Sequence, residues 1–150
     1  MPIRYLKKGR DMNHIAKLLH TAKTATIGDR DNGASRSSDG LLDIRLSTPG
    51  SARIGTNPEQ LFAASWSVSF ASSIALVARE RNIVLPARVS IDAEVDLSFG
   101  DGGYFLIARL NVRLPGLEQD VAHDLIVEAE KICPYSKATR GNIGVTVKLV

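Results

Sequence analysis

The chain of 150 residues is 44% hydrophobic and 23% charged, enough for one folded domain with a real core and too little for two. Nineteen Lys and Arg against sixteen Asp and Glu leave a net charge of +3, short of the dense basic stripe that nucleic-acid binders carry. A lone cysteine excludes an intrachain disulfide, and with it a disulfide-stapled secreted scaffold; a reducing, cytoplasmic setting suits such a thiol.

In chain order, residues 1–13 read as a basic tail whose Lys7, Lys8 and Arg10 are solvated charges, and residues 14–150 as the domain. No apolar stretch follows the basic start, so it is not a signal peptide. The β-branched content of Ile15 to Ile27 suggests a first strand. Gly28 to Gly40 is turn chemistry throughout, without the spacing of a phosphate-binding loop. Leu41 to Leu46 reads as a second strand. Asn57 then caps a helix with Pro58 at its first position and Gln60 three past the cap.

That helix is expected to run to about Asn82, roughly 36 Å at 1.5 Å per residue. Its stretch from Leu61 to Ala78 has no charge and just reaches membrane-spanning length. Ser65, Ser67, Ser69, Ser72 and Ser73 within it fit a helix packed inside protein better than one facing lipid. Uncharged all round, it needs cover on every side, which a second subunit would supply. Val89 to Ser98 alternates as a half-buried strand, and Tyr104 to Leu114 returns as its hairpin partner. Glu118 to Ile132 has helical spacing and stops at Cys133-Pro134, and Val145 to Val150 closes the chain as a strand. The order is ββαββαβ, an α+β fold.

Most site chemistries have no support. His14, His20, His123 and Cys133 lack metal-ligand spacing, so no metal is expected, nor any cofactor. No nucleophile elbow surrounds a serine. The eight aromatics are not interleaved with basic residues, as a nucleic-acid partner would require. Taken singly, Arg30 between Asp29 and Asp31 is a solvated ion cluster, Glu59 suits the helix dipole, and Cys133 is a buried hydrophobe.

Together these residues sit in motifs. Gly55-Thr-Asn-Pro-Glu-Gln-Leu-Phe-Ala-Ala64, Cys133-Pro-Tyr-Ser-Lys-Ala-Thr-Arg-Gly-Asn-Ile143, Ser37-Ser-Asp-Gly40 and Leu114-Pro-Gly-Leu117 resemble the OsmC/Ohr family of organic hydroperoxide reductases, nearer the Ohr branch, over about residues 15 to 150. The resemblance implies an intertwined homodimer with long central buried helices packed against antiparallel sheets. It also implies a reactive cysteine that attacks the peroxide, a second cysteine that resolves it, and a lipoylated protein or other dithiol as reductant. Carried over, the thiolate-stabilising arginine is Arg30, the glutamate holding it is Glu59, and the resolving cysteine is Cys133.

The reactive position falls on Ser69, in Trp66-Ser-Val-Ser-Phe70, where the family pattern reads tyrosine, two small residues, cysteine, phenylalanine. A serine hydroxyl is too weak an acid for an arginine to ionise and has no sulfenic acid chemistry. The expected function is therefore that of an organic hydroperoxide resistance family protein without peroxidase turnover. Three readings stay open: an intact site missing one sulfur atom, a divergent binder of an apolar hydroperoxide or fatty ligand, and a one-cysteine peroxidase using Cys133.

Overall fold

The computed structural model describes residues 17–150. The tail at 1–13, His14 and the expected strand start at Ile15 lie outside them. The elements are β1 (Thr24–Ile27), β2 (Ala34–Ser37), β3 (Asp43–Arg45), α1 (Pro58–Glu80), β4 (Ser90–Gly100), β5 (Gly103–Arg113), α2 (Gln119–Ile132), α3 (Pro134–Thr139) and β6 (Gly144–Leu149). This is an α+β fold of two three-stranded sheets, ordered β1-β2-β3 and β4-β5-β6.

The first sheet departs most from expectation. β1 holds only four residues, because its partner β2 is equally short and pairs only from Thr24 opposite Ser37 to Ile27 opposite Ala34. β2 itself falls inside the segment read as turn. Gly28, at φ +78°, and the Gly33 amide on the Asp29 carbonyl at 2.8 Å close the turn early, so Ala34-Ser-Arg-Ser37 is free to pair. These side chains have no apolar alternation to mark them as a strand. None of β1, β2 or β3 packs substantially on α1 or the second sheet.

α1 starts as its sequence dictates. The Asn57 side chain accepts from the Gln60 amide at 2.8 Å, Pro58 opens the first turn and Glu59 sits there too. The Gln60 side chain accepts from the Thr56 hydroxyl at 2.8 Å instead of reaching the cap. At the other end Asn82 takes the left-handed conformation, φ 57°, and the Ile83 amide bonds the Ala78 carbonyl at 2.8 Å, tying off the last turn. The helix is long and apolar enough to span a membrane by composition alone, but Trp66, Phe70, Ile74 and Val77 are buried as a core stripe. They pack with Ala108, Leu110 and Val112 of β5 and with Ala122, Leu125 and Ala129 of α2. Within one chain the cover is one-sided, since Ala64, Ser65, Val68, Ser72 and Ala75 stay exposed.

The hairpin of β4 and β5 pairs without a break from Ser90 opposite Arg113 to Gly100 opposite Gly103. β6 joins β5 in parallel, so this sheet is mixed where antiparallel pairing throughout was expected. A parallel neighbour needs a crossover, which α2 and α3 provide; α3 arises because Pro134 ends α2 and opens a second short helix. The outer face of the sheet is an ion-pair ladder. Arg109 bonds Glu94 at 2.6 Å and Asp96 at 2.7 Å, and Arg113 bonds Asp92 at 2.5 Å. The hydrogen bond from Arg109 holds the Asp96 carboxyl below its ordinary range, against a smaller effect of desolvation.

Candidate functional site

Arg30 follows β1 in the turn that Gly28 permits. Its acidic neighbours do not pair with it. The Asp29 carboxylate accepts the Asp31 amide at 3.0 Å, and the Asp31 carboxylate takes the Thr48 hydroxyl, so both stitch the loop. Arg30 instead donates from Nη2 to Oε1 of Glu59 at 2.6 Å, with the two side chains 39% and 15% exposed. This ion pair is one of the few ties between the first sheet and α1. It fronts a cavity of about 330 Å³ lined by the polar Arg30, Asn57, Glu59 and Gln60 and by the apolar Ala63, Ala93, Val95 and Leu97. A concave site with convergent polar groups and apolar walls suits an amphiphilic small molecule.

Ser69 and Cys133 form a second pair. Four of the five serines of α1 spend their hydroxyls on the carbonyl four residues back: Ser65 at 2.7 Å, Ser67 and Ser72 at 2.8 Å and Ser73 at 2.9 Å. Such bonds satisfy a hydroxyl inside a helix. The Ser69 hydroxyl turns instead to Sγ of Cys133, 3.6 Å away. Cys133 is fully buried, at 0% exposure, where α2 gives way to α3. Burial pushes its thiol up. The Ser136 amide, the hydroxyls of Ser69 and Ser136 and the Tyr135 amide favour the thiolate, and together they leave the pKa below its ordinary value. Pro134 has no N–H, so Tyr135 and Ser136 present the first amides of α3, and they act on the sulfur without a regular cap hydrogen bond.

Aromatic packing holds this second pair in place. The Trp66 indole donates to the Ser136 hydroxyl oxygen at 3.3 Å inside the core. Phe62 meets Trp66 edge-on at 5.5 Å and Tyr135 at 6.2 Å between ring centroids. Ser136 carries no sequence signal of its own beyond lying three residues past Cys133 in the Cys133-to-Ile143 motif. Asn57 both caps α1 and lines the cavity.

The four expected site residues thus gather as two pairs. Glu59 and Ser69 are ten residues apart on α1, about 15 Å of rise, and neither Ser69 nor Cys133 lines the cavity at Arg30. Among the described residues no group of three His, Cys, Asp or Glu could hold a metal ion, and His20 and His123 are exposed. What the pairs can do chemically is bind and polarise. An alcohol at position 69 offers a hydrogen bond, and the one thiol, that of Cys133, lies below the surface.

Residues 48–148 match the family model described as OsmC-like protein. The chain is 42% identical over 137 residues to an organic hydroperoxide resistance protein of Xanthomonas axonopodis pv. citri, covering 89% of this chain and 96% of that one. The organic hydroperoxide resistance protein OhrB of Bacillus subtilis is 37% identical, covering 87% and 98%. The crystal structure of OhrB superposes with a TM-score of 0.82 at 39% identity, over 89% of this chain and all of that one. An organic hydroperoxide resistance protein from Legionella pneumophila gives a TM-score of 0.83 at 39% identity, covering 89% and 98%. By sequence over most of its length and by the course of its backbone, the chain belongs to the OsmC-like family and is related most clearly to its organic hydroperoxide resistance proteins.

Proposed function

We propose that this protein recognises an organic hydroperoxide or a similar amphiphile in the cavity at Arg30 and does not carry out the thiol peroxidase cycle expected of its relatives. The observation that carries this reading is Ser69 itself. It stands 3.6 Å from the sulfur of Cys133, where a reactive cysteine would form a disulfide with that same sulfur, and the chain has no other cysteine. Reduction of a hydroperoxide by a thiol passes through a sulfenic acid and then a disulfide. A hydroxyl supports neither step.

The same geometry favours a homodimer with a site shared between subunits. Antiparallel packing of two copies of α1 crossing near Ala64, midway between Glu59 and Ser69, would set the Arg30–Glu59 pair of one subunit level with Ser69 of the partner subunit. Ala64 is exposed and small enough for such an approach. A one-cysteine cycle at Cys133 is disfavoured, because Cys133 is 0% exposed in one chain and a partner can only cover it further.

The test compares organic hydroperoxide consumption, with a dithiol reductant, for the chain as it stands and for Ser69→Cys. Turnover by the variant alone is the expected result, because the exchange supplies the missing sulfur opposite Cys133. Consumption by the parent above the buffer rate would sink the proposal.

A further inference from the structure

Trp66 and Ser69 are three residues apart on α1 and share a face, and both reach the start of α3. Ser69 meets the sulfur of Cys133 directly, while the Trp66 indole meets the Ser136 hydroxyl at 3.3 Å. Trp66, Ser136 and Cys133 are all buried. An indole N–H can only donate, which fixes the Ser136 oxygen as acceptor of that bond and leaves its one proton to be placed. Four of the serines of α1 place theirs on the carbonyl four residues back. Four back from Ser136 is Ile132, which belongs to α2, and the chain turns at Cys133 between the two helices. Cys133 is the N-cap of α3 and Pro134 its first residue, so Ser136 is the third helical residue. In the relation that a capping box uses, it faces the N-cap side chain, and its hydroxyl is one of the donors acting on the sulfur.

A second feature gives the indole its part. A cavity of about 210 Å³ lies against the pair, with Trp66, Ser136, Thr139 and Ile143 in its lining. A serine hydroxyl rotates to suit its surroundings, and without the indole that of Ser136 is free to turn into the cavity. Among the described residues no charged side chain acts on the sulfur. α1 has none between Leu61 and Ala78, Lys131 and Lys137 are exposed, and Arg140 bonds Glu130. Tyr135 offers the sulfur its amide, while its ring packs on Phe62. We propose that Trp66 and Ser136 are positioning residues for the sulfur of Cys133: the indole holds the Ser136 hydroxyl out of the cavity, and the hydroxyl, so held, donates to the sulfur. Donation along such a chain strengthens each bond in it. A sulfur supplied with hydrogen bonds in this way is suited to the part of a leaving thiolate. The chain thus keeps one half of a thiol cycle in order, although Ser69 gives it no partner. None of this depends on what the cavity at Arg30 binds.

The test is ultraviolet titration of the single thiol in the full chain, with Cys133→Ala as the blank for tyrosine absorption. Ser136→Ala is expected to move the thiol midpoint upward, and Ser136→Thr, which keeps a hydroxyl, to leave it close to the parent's. Trp66→Phe keeps an aromatic ring without the N–H and should also move the midpoint upward, by less. The deciding measurement is the double variant Trp66→Phe/Ser136→Ala. An indole that acts only through the hydroxyl leaves this midpoint equal to that of Ser136→Ala, whereas a general loosening of the core adds a further shift. Trp66 is the only tryptophan, so biosynthetic replacement by benzothienylalanine, nearly the same shape with sulfur for the N–H, serves where Trp66→Phe does not fold. An unchanged midpoint in Ser136→Ala, an unchanged midpoint on loss of the indole N–H, or additive shifts in the double variant overturns the proposal.

Discussion

Ser69 and Cys133 meet as hydroxyl and thiol, and the contact has a consequence for proton affinity. In the folded chain the donors around Cys133 outweigh burial and lower its pKa from an ordinary value of 9.0. Between the lowered and the ordinary value the unfolded state holds more protons than the folded one. The contribution of this thiol to stability therefore rises with pH across that interval, is complete above the ordinary value, and is lost as pH falls through the folded one. Ser69→Ala removes one of the donors and should move the thiol pKa upward. Ultraviolet titration of the thiolate measures it, and an unchanged midpoint would mean that the hydroxyl does not act on the sulfur. The ion pair of Arg30 with Glu59 teaches a different lesson. Arg30 looked solvated because two aspartates flank it in sequence, yet both carboxylates turn to the loop's own donors and the arginine pairs 29 positions away. Spacing along the chain carries no sign of such a choice.

At the scale of elements, α1 was legible because its start is written in local chemistry: a capping side chain, a proline without an N–H, and an acidic first turn. Asn57→Ala should cost about 1 kcal/mol of stability, read as a shift in the midpoint of urea unfolding at unchanged slope. A loss below a few tenths of a kcal/mol would mean that the Gln60 amide finds another partner. The hairpin of β4 and β5 was equally readable from its alternation. β2 was not, because a short exposed strand of serine and arginine has no buried face to impose a pattern. The parallel placement of β6 was hidden for another reason. Alternation reports which side of a strand is buried and says nothing of the direction of its neighbour. α3 escaped because six residues are too few to show a period, and with it went the role of Ser136 beside the sulfur.

At the scale of the molecule, α1 carries a buried stripe and an exposed one, and the first sheet rests on little but itself. An isolated small sheet is marginal in water, so the homodimer proposed above would cover both. Val68, 68% exposed, lies in the middle of the open stripe. On a free surface Val68→Asp would be nearly silent. In a subunit interface it buries an unpaired charge, and the expected outcome is a fall in mass by light scattering from twice 16.2 kDa to 16.2 kDa. A parent that already scatters as a monomer at micromolar concentration would remove the dimer. The ion-pair ladder outside β4 and β5 then governs how far association can proceed. Stacking another protein layer on that face would strip water from Asp92, Glu94, Asp96, Arg109 and Arg113 with no new partners to replace it. In the homodimer proposed above, the open stripe of α1 would be covered and the ladder would stay outside. Association would then be self-limiting, since what the pair would present to a third copy is a surface of charges already matched.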